Sequence, residues 1–119
     1  MLSSHRNGPK RWPRGQKFAL TAAGLAADTA HRETVAQARA SGRNALDAAL
    51  VAWATPLALH AGDGTVLGEL RSGRLGVPDL VERLEPAGIQ PDEVRGALQR
   101  LVAAGLVEAI PLASQMAAG

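Results

Sequence analysis

The sequence predicts a mostly helical, all-α type of protein, and three observations support that class. Alanine dominates the apolar residues, and small side chains favour closely packed helices. The aromatic residues are few, whereas strands favour aromatic and β-branched side chains. Large apolar residues recur three and four positions apart in the second half of the chain, which is the helical period. A chain of 119 residues with this pattern makes one domain, or one small domain with an appendage.

Residues 1–17 are predicted to form a flexible basic arm, because a short polar stretch of this composition cannot bury enough surface to order itself. Residues 1–43 hold eight basic and two acidic side chains, whereas residues 44–119 hold five and nine. A polyanion would therefore meet the front of the chain first, and a solubilising tail explains the same composition. The candidate phosphate contacts of the arm are Arg6, Lys10, Arg11, Arg14 and Lys17.

The first helix is predicted over residues 21–40. Thr21 can cap its start, and Gly42 can end it in a left-handed conformation. Leu25 and Val35 are its only large apolar residues. This helix is therefore either half-exposed or covered by a partner.

The second helix is predicted to follow Asn44, which is a good N-cap and has Asp47 three residues on. Pro56 removes a backbone donor, so the helix should end or kink near residues 54–55. Its apolar stripe consists of Leu46, Leu50, Trp53 and Leu57. We expect this stripe to pack on the C-terminal module or against its copy in a homodimer. The two helices make up an N-terminal helical region, residues 18–62.

Three further helices are predicted at residues 65–72, 77–86 and 91–104, with a short extended link, Arg74–Gly76, after the first. Residues 106–110 alternate in polarity as a strand does. The apolar positions of the three helices predict one core, formed by Leu67, Leu70, Leu80, Leu84, Val94, Leu98 and Leu101.

This order of elements resembles the winged helix-turn-helix family. The match is carried by the runs VLGEL (66–70), VPDLVERL (77–84) and VRGALQRLVAAGLV (94–107), with Ile89 between the last two. The last run is the most specific, because recognition helices of the family often end in a Gly-Leu-Val-like exit. The resemblance implies a winged-helix-like domain at residues 63–112, and the fold is expected to include one short β-hairpin. A flexible tail is expected at 113–119.

In this family the third helix lies in the DNA major groove. The resemblance therefore implies Arg95, Gln99 and Arg100 as DNA contacts. The chain departs from the pattern at Asp92 and Glu93, because acids at the groove-entering end repel phosphates.

The second departure concerns the wing, since only nine residues follow Ile110 and no strand returns. Residues 14–24 look like the second wing strand and the Leu-Thr-x-x-Gly helix start found after wings. This segment could lie beside residues 107–110, supplied by the front of the chain or by a second subunit.

Nothing in the sequence supports catalysis, a metal or a cofactor. Cysteine is absent, and His5, His31 and His60 lie on separate segments without ligand spacing. The run at 18–27 imitates a signal peptide but is short and interrupted, so a cytoplasmic protein without a membrane span is expected. Two functions remain: a small DNA-binding regulator of transcription, and a protein-interaction adaptor that uses an acidic winged-helix-like domain.

Overall fold

The structure is a computed structural model, and it describes residues 12–111. Its elements, in chain order, are β1 (Lys17–Leu20), α1 (Ala22–Arg39), α2 (Arg43–Ala54), α3 (Asp63–Glu69), β2 (Leu75–Gly76), α4 (Val77–Leu84), α5 (Pro91–Ala103) and β3 (Val107–Ala109). Single turns of 3₁₀ helix follow α2, α3 and α4. The predicted class is confirmed: the described chain is mostly helical, with one small antiparallel sheet.

The sheet has the order β2-β1-β3, so the strand nearest the N-terminus lies in the middle. Phe18 of β1 stands opposite Leu75 on one side and Ala109 on the other. The prediction that residues 14–24 supply a strand beside residues 107–110 is therefore confirmed, and the strand comes from the same chain.

The core lies between this sheet and the three C-terminal helices. Phe18 is fully buried, and Leu106 and Val107, from the other end of the chain, are buried in the same cluster. All seven apolar residues predicted as core from the helical spacing are at most 2% exposed. The helix bounds at 65–72, 77–86 and 91–104 are confirmed to within a few residues, with 3₁₀ turns completing the first two.

The start of α1 is fixed by Thr21, as predicted. Its hydroxyl oxygen accepts a hydrogen bond from the backbone N–H of Gly24 at 3.0 Å. The same hydroxyl donates to the carbonyl oxygen of Gly105 at 2.7 Å. One residue thus caps the helix and ties it to the segment before β3.

The turn between α1 and α2 differs from its prediction. Gly42, expected to end the first helix, is the N-cap residue of α2, with φ 99°. Asn44, expected as the N-cap, lies inside that helix, and no side chain caps its start. Gly42 can adopt a positive φ without strain, so the chain turns at this residue. Helix α2 therefore begins earlier than the predicted N-cap, Asn44, indicated. The predicted end before Pro56 is confirmed, because α2 stops at Ala54.

Helix α2 packs chiefly on α1. The indole Nε1 of Trp53 donates to the carbonyl oxygen of Ala27 at 3.2 Å, and the ring meets that of His31 edge-on at 4.7 Å. Of its residues only Ala54 is fully buried. The apolar stripe is thus covered in part by α1.

The folded part begins before the boundary that was predicted for the basic arm. The ring of Trp12 packs edge-on against Phe18, with 4.9 Å between centroids. The side-chain amide of Gln16 donates to the carbonyl oxygen of Ile110 at 2.7 Å. The other arm cations and the predicted tail lie outside the described residues: Arg6, Lys10, Arg11 and 113–119.

Candidate functional site

Helix α5 is the helix for which the family resemblance implies DNA contacts. It begins at Pro91, where a missing N–H is tolerated. The carboxylate of Glu93 accepts a hydrogen bond from the backbone N–H of Gln90 at 2.8 Å, as in a capping box. Glu93 therefore serves to hold the first turn, where its charge also suits the helix dipole.

Arg95 has a carboxylate partner on its own helix. Its guanidinium pairs with Asp92 one turn earlier, and its side chain is only 21% exposed. Asp92 is 73% exposed, so its charge points into solvent. This pair leaves the start of α5 with no net positive charge to offer a phosphate.

Arg100 has a stronger partner, Asp63, at the first residue of α3. Its Nε and Nη2 atoms lie 2.7 and 2.9 Å from the two carboxylate oxygens. The side chain of Asp63 is 4% exposed, and it also accepts the backbone N–H of His60 at 2.9 Å. Hydrogen bonding to Asp63 raises the pKa of Arg100, against a smaller effect of burial. This bidentate pair ties the start of α3 to the end of α5.

The structure thus brings Arg95, Gln99 and Arg100 onto one helix, with Gln99 exposed. Arg14 and Lys17 lie elsewhere, at the start of the sheet. Arg14 is exposed, and the Lys17 ammonium is 3.6 Å from Asp79 in the first turn of α4. The backbone N–H of Gly76, joined by Lys17, lowers the pKa of Asp79. Among residues 12–111 the candidate cations therefore lie on two separate elements, α5 and the segment at the start of β1.

A groove of about 410 Å³ lies between α3 and the outer face of α5. Its floor is apolar and its rim is charged. Gly96 adds no side chain to the floor, and a Cβ there would make an ordinary contact with Nη1 of Arg100 at 3.4 Å. The apolar and glycine positions of the lining are Gly62, Val66, Ile89, Gly96 and Ala97, and the polar positions are His60, Asp92, Glu93, Arg100 and the nearly buried Asp63.

A second groove, of about 360 Å³, runs between α1 and α3, and sequence reasoning did not find it. The carboxylate of Asp28 lies beneath it, fully buried. Its Oδ2 atom is 3.2 Å from Nε of Arg32 and 2.8 Å from Nε of Arg71. The spacing of Asp28 and Arg32 was a signal for a helical ion pair, but the position of Arg71 depends on the fold.

His31 stands at the inner wall of this second groove. Partial burial lowers its pKa below the ordinary 6.5; Asp28 opposes this shift and Arg71 adds to it. The ring lies over the backbone of Gly64, where a Cβ would come within 2.3 Å of it. The close approach explains a glycine at this position of α3.

The described residues carry ten basic and eleven acidic side chains. No group of three or more histidine and acidic side chains within residues 12–111 is placed to hold a metal ion. In the same range, no helix has both the length and the hydropathy that a bilayer span requires.

Comparisons with protein-family models, with curated proteins and with solved structures find no match to this chain.

Proposed function

We propose that this chain is a small non-enzymatic protein-interaction adaptor, in which the winged-helix-like module docks on a protein partner. The single observation that carries the proposal is the pairing of both arginines on α5. Arg95 is held by Asp92, and Arg100 is held by the buried Asp63. The face that would read bases in a DNA-binding relative of this fold is internally neutralised.

Direct readout of a guanine needs a guanidinium whose donors are available to the base. Asp63 engages the Nε and Nη2 atoms of Arg100, which fixes the direction of the guanidinium and leaves only the edge at Nη1 for a base. Reorienting Arg100 would leave the carboxylate of Asp63, which is 4% exposed, without its partner. The pairing therefore favours a structural role for Arg100.

The lining of the groove between α3 and α5 also favours a protein partner. Protein interfaces typically have an apolar centre and a polar rim, and the floor and rim of this groove follow that pattern. The exposed carboxylate of Asp92 at its edge would select against phosphates and for a partner with basic groups.

The proposal is tested by placing a photoreactive amino acid at Gln99 in the full chain and cross-linking in living cells. The expected product is a protein adduct of discrete mass, identified by mass spectrometry. The same probe at Val51, which is exposed on α2, serves as the control and should not give that adduct. Adducts to nucleic acid at Gln99 would overturn the adaptor proposal.

A DNA-binding regulator is the second candidate, favoured by the basic side chains at the front of the chain. It requires tight DNA binding that falls steeply with salt and weakens when residues 1–11 are removed. It also requires that Arg95→Ala and Arg100→Ala change the base preference, and that removing Asp92 and Glu93 strengthens binding. The adaptor requires weak DNA binding that is indifferent to Arg95 and Arg100.

A further inference from the structure

The groove between α1 and α3 continues past the end of α3 along a row of arginines. Arg32 and Arg39 lie on its α1 side, and Arg71 lies on the other. Arg71 also lines the adjoining depression beside Leu25, together with Arg74. The four guanidinium groups therefore border one extended concavity.

Asp28 fixes two of these guanidiniums in place. Its Oδ2 atom pairs with the Nε atom of Arg32 and with the Nε atom of Arg71. A single negative charge cannot neutralise two positive ones, so this cluster keeps a net positive charge. The other oxygen, Oδ1, has no hydrogen-bond partner among residues 12–111. Arg71 is 46% exposed, and its terminal NH₂ groups make no hydrogen bond to a described residue.

Arg39 and Arg74 add charge that the described chain does not balance. Both are exposed, and neither forms an ion pair with a carboxylate of residues 12–111. Besides Asp28, the acid on the lining is Glu69, whose carboxylate lies 3.7 Å from Arg83. The concavity is thus a basic feature on a domain whose described part is close to neutral.

The floor between the arginines is made of small and apolar groups. Val35 and Ala36 of α1 face Gly64 and Gly68 of α3 across the groove, and Leu25 continues the apolar surface. Apolar side chains of a ligand could pack here while its acidic groups meet the guanidiniums, which bind carboxylates in a planar, bidentate way.

We propose that the groove between α1 and α3 binds an acidic amphipathic segment of a protein partner, with Arg32, Arg39, Arg71 and Arg74 contacting its carboxylates. This rests on the proposed function in that the occupant is a protein. Single-stranded nucleic acid is disfavoured, because proteins that bind it stack its bases on aromatic rings, and among residues 12–111 no Phe, Tyr or Trp lines the groove.

The test uses the full chain and a fluorescein-labelled synthetic helical peptide of 16 residues, with glutamates along one face and leucines along the other. Its dissociation constant is measured by fluorescence anisotropy. Replacing both Arg39 and Arg74 by Gln should weaken binding about tenfold, since each exposed ion pair contributes roughly 0.5–1 kcal/mol. The matched control replaces Arg14 and Arg43, exposed cations that do not line the groove, and should change the constant less than twofold.

Absence of peptide binding, or equal loss in the two double variants, would overturn the proposal. So would tighter binding of a 20-nucleotide single strand that is lost in the groove variant only. Circular dichroism of each variant verifies the fold. Failure here is separable from failure of the adaptor function, because the peptide reports on the α1–α3 groove and the cross-link at Gln99 reports on α5.

Discussion

Gly24, in the first turn of α1, lies against the carbonyl of Leu106. A Cβ atom at this position would be 1.8 Å from that carbonyl oxygen, which also accepts the backbone N–H of Thr21 at 3.1 Å. The glycine is thus required by a close approach between two backbones. This contact explains the Gly position in the Leu-Thr-x-x-Gly pattern of this chain. Gly24→Ala should destabilise the protein by about 1–3 kcal/mol, measured by urea unfolding, because the helix must move away from the sheet.

The matched control for that substitution is Gly62→Ala. Gly62 has φ −80°, and no atom lies within 4 Å of its hypothetical Cβ. An alanine there should leave the free energy of unfolding unchanged or raise it by about 0.4–1 kcal/mol. Equal losses at both glycines would contradict the packing explanation.

The Asp63–Arg100 pair also makes a measurable contribution. A double-mutant cycle with Asp63→Asn and Arg100→Gln should give a coupling energy of about 1–3 kcal/mol, because the contact is bidentate and one partner is nearly buried. The more exposed pair of Asp92 and Arg95 should couple by less than about 1 kcal/mol. Comparable coupling in both cycles would argue against a structural role for Arg100.

His31 should make stability depend on pH near neutrality. Its pKa in the folded chain is lowered from 6.5 by burial, so the unfolded chain takes up the proton first as the pH falls. Stability therefore increases as the pH rises through the region just below and around 6.5. The charged groups that face His31 are Asp28 and Arg71. The lowered pKa of Asp79 affects stability in a separate pH range, below its ordinary value of 3.8.

Replacing His31 by Phe tests this dependence, because the ring is kept and the titration is removed. The difference in unfolding free energy between pH 5 and pH 7.5 should be smaller in the variant than in the native chain. An unchanged difference would assign the pH dependence to other groups.

At the scale of elements, sequence could locate the helices but not their polar partners. The spacing of Leu98 and Leu101 from Val94 predicts a buried helical face, because burial follows the period of the helix. Nothing local indicates that Arg100 meets Asp63, 37 residues away. Which carboxylate pairs with which arginine depends on how α3 and α5 pack. The sequence could therefore not show that Arg100 is held by an ion pair.

Leu98 tests the packing of these elements. Its side chain is fully buried, as predicted, at the centre of the face that α5 presents to the core. Leu98→Ala should lower the unfolding free energy by roughly 2–5 kcal/mol through the cavity it leaves. Val51→Ala, on the exposed side of α2, should change it by less than about 0.5 kcal/mol. Denaturant titrations of both variants make the comparison, and a small effect at Leu98 would be inconsistent with the observed core.

At the scale of the whole molecule, the sheet joins the two ends of the described chain. Within residues 12–111 no strand follows β3, and β1, which lies before α1 in the chain, pairs with β3. The sequence of residues 14–24 predicted this strand pairing. It did not distinguish a strand from the same chain from a strand of a second subunit. Whether β1 can pair within its own chain depends on whether α1, α2 and the loop after them span the distance from β1 to α3. That distance is set by the packing of the whole fold.

Removing β1 should therefore abolish the fold. A chain that starts at residue 12 keeps all three strands and should unfold cooperatively. A chain that starts at residue 21 loses Phe18 and leaves the facing backbones of β2 and β3 unpaired, which a small domain cannot absorb. It should show no cooperative transition by circular dichroism and should aggregate.

Addition of a peptide of residues 12–20 to that shortened chain provides the decisive comparison. If β1 is the structural centre of the sheet, the peptide should restore a cooperative transition in a concentration-dependent way, because binding to the folded state stabilises it by mass action. A peptide in which Phe18 is replaced by Ser should not restore it, since burying a hydroxyl in place of the ring loses the main apolar contact. A shortened chain that unfolds with the midpoint of the longer one would show that the C-terminal helices fold without the strand.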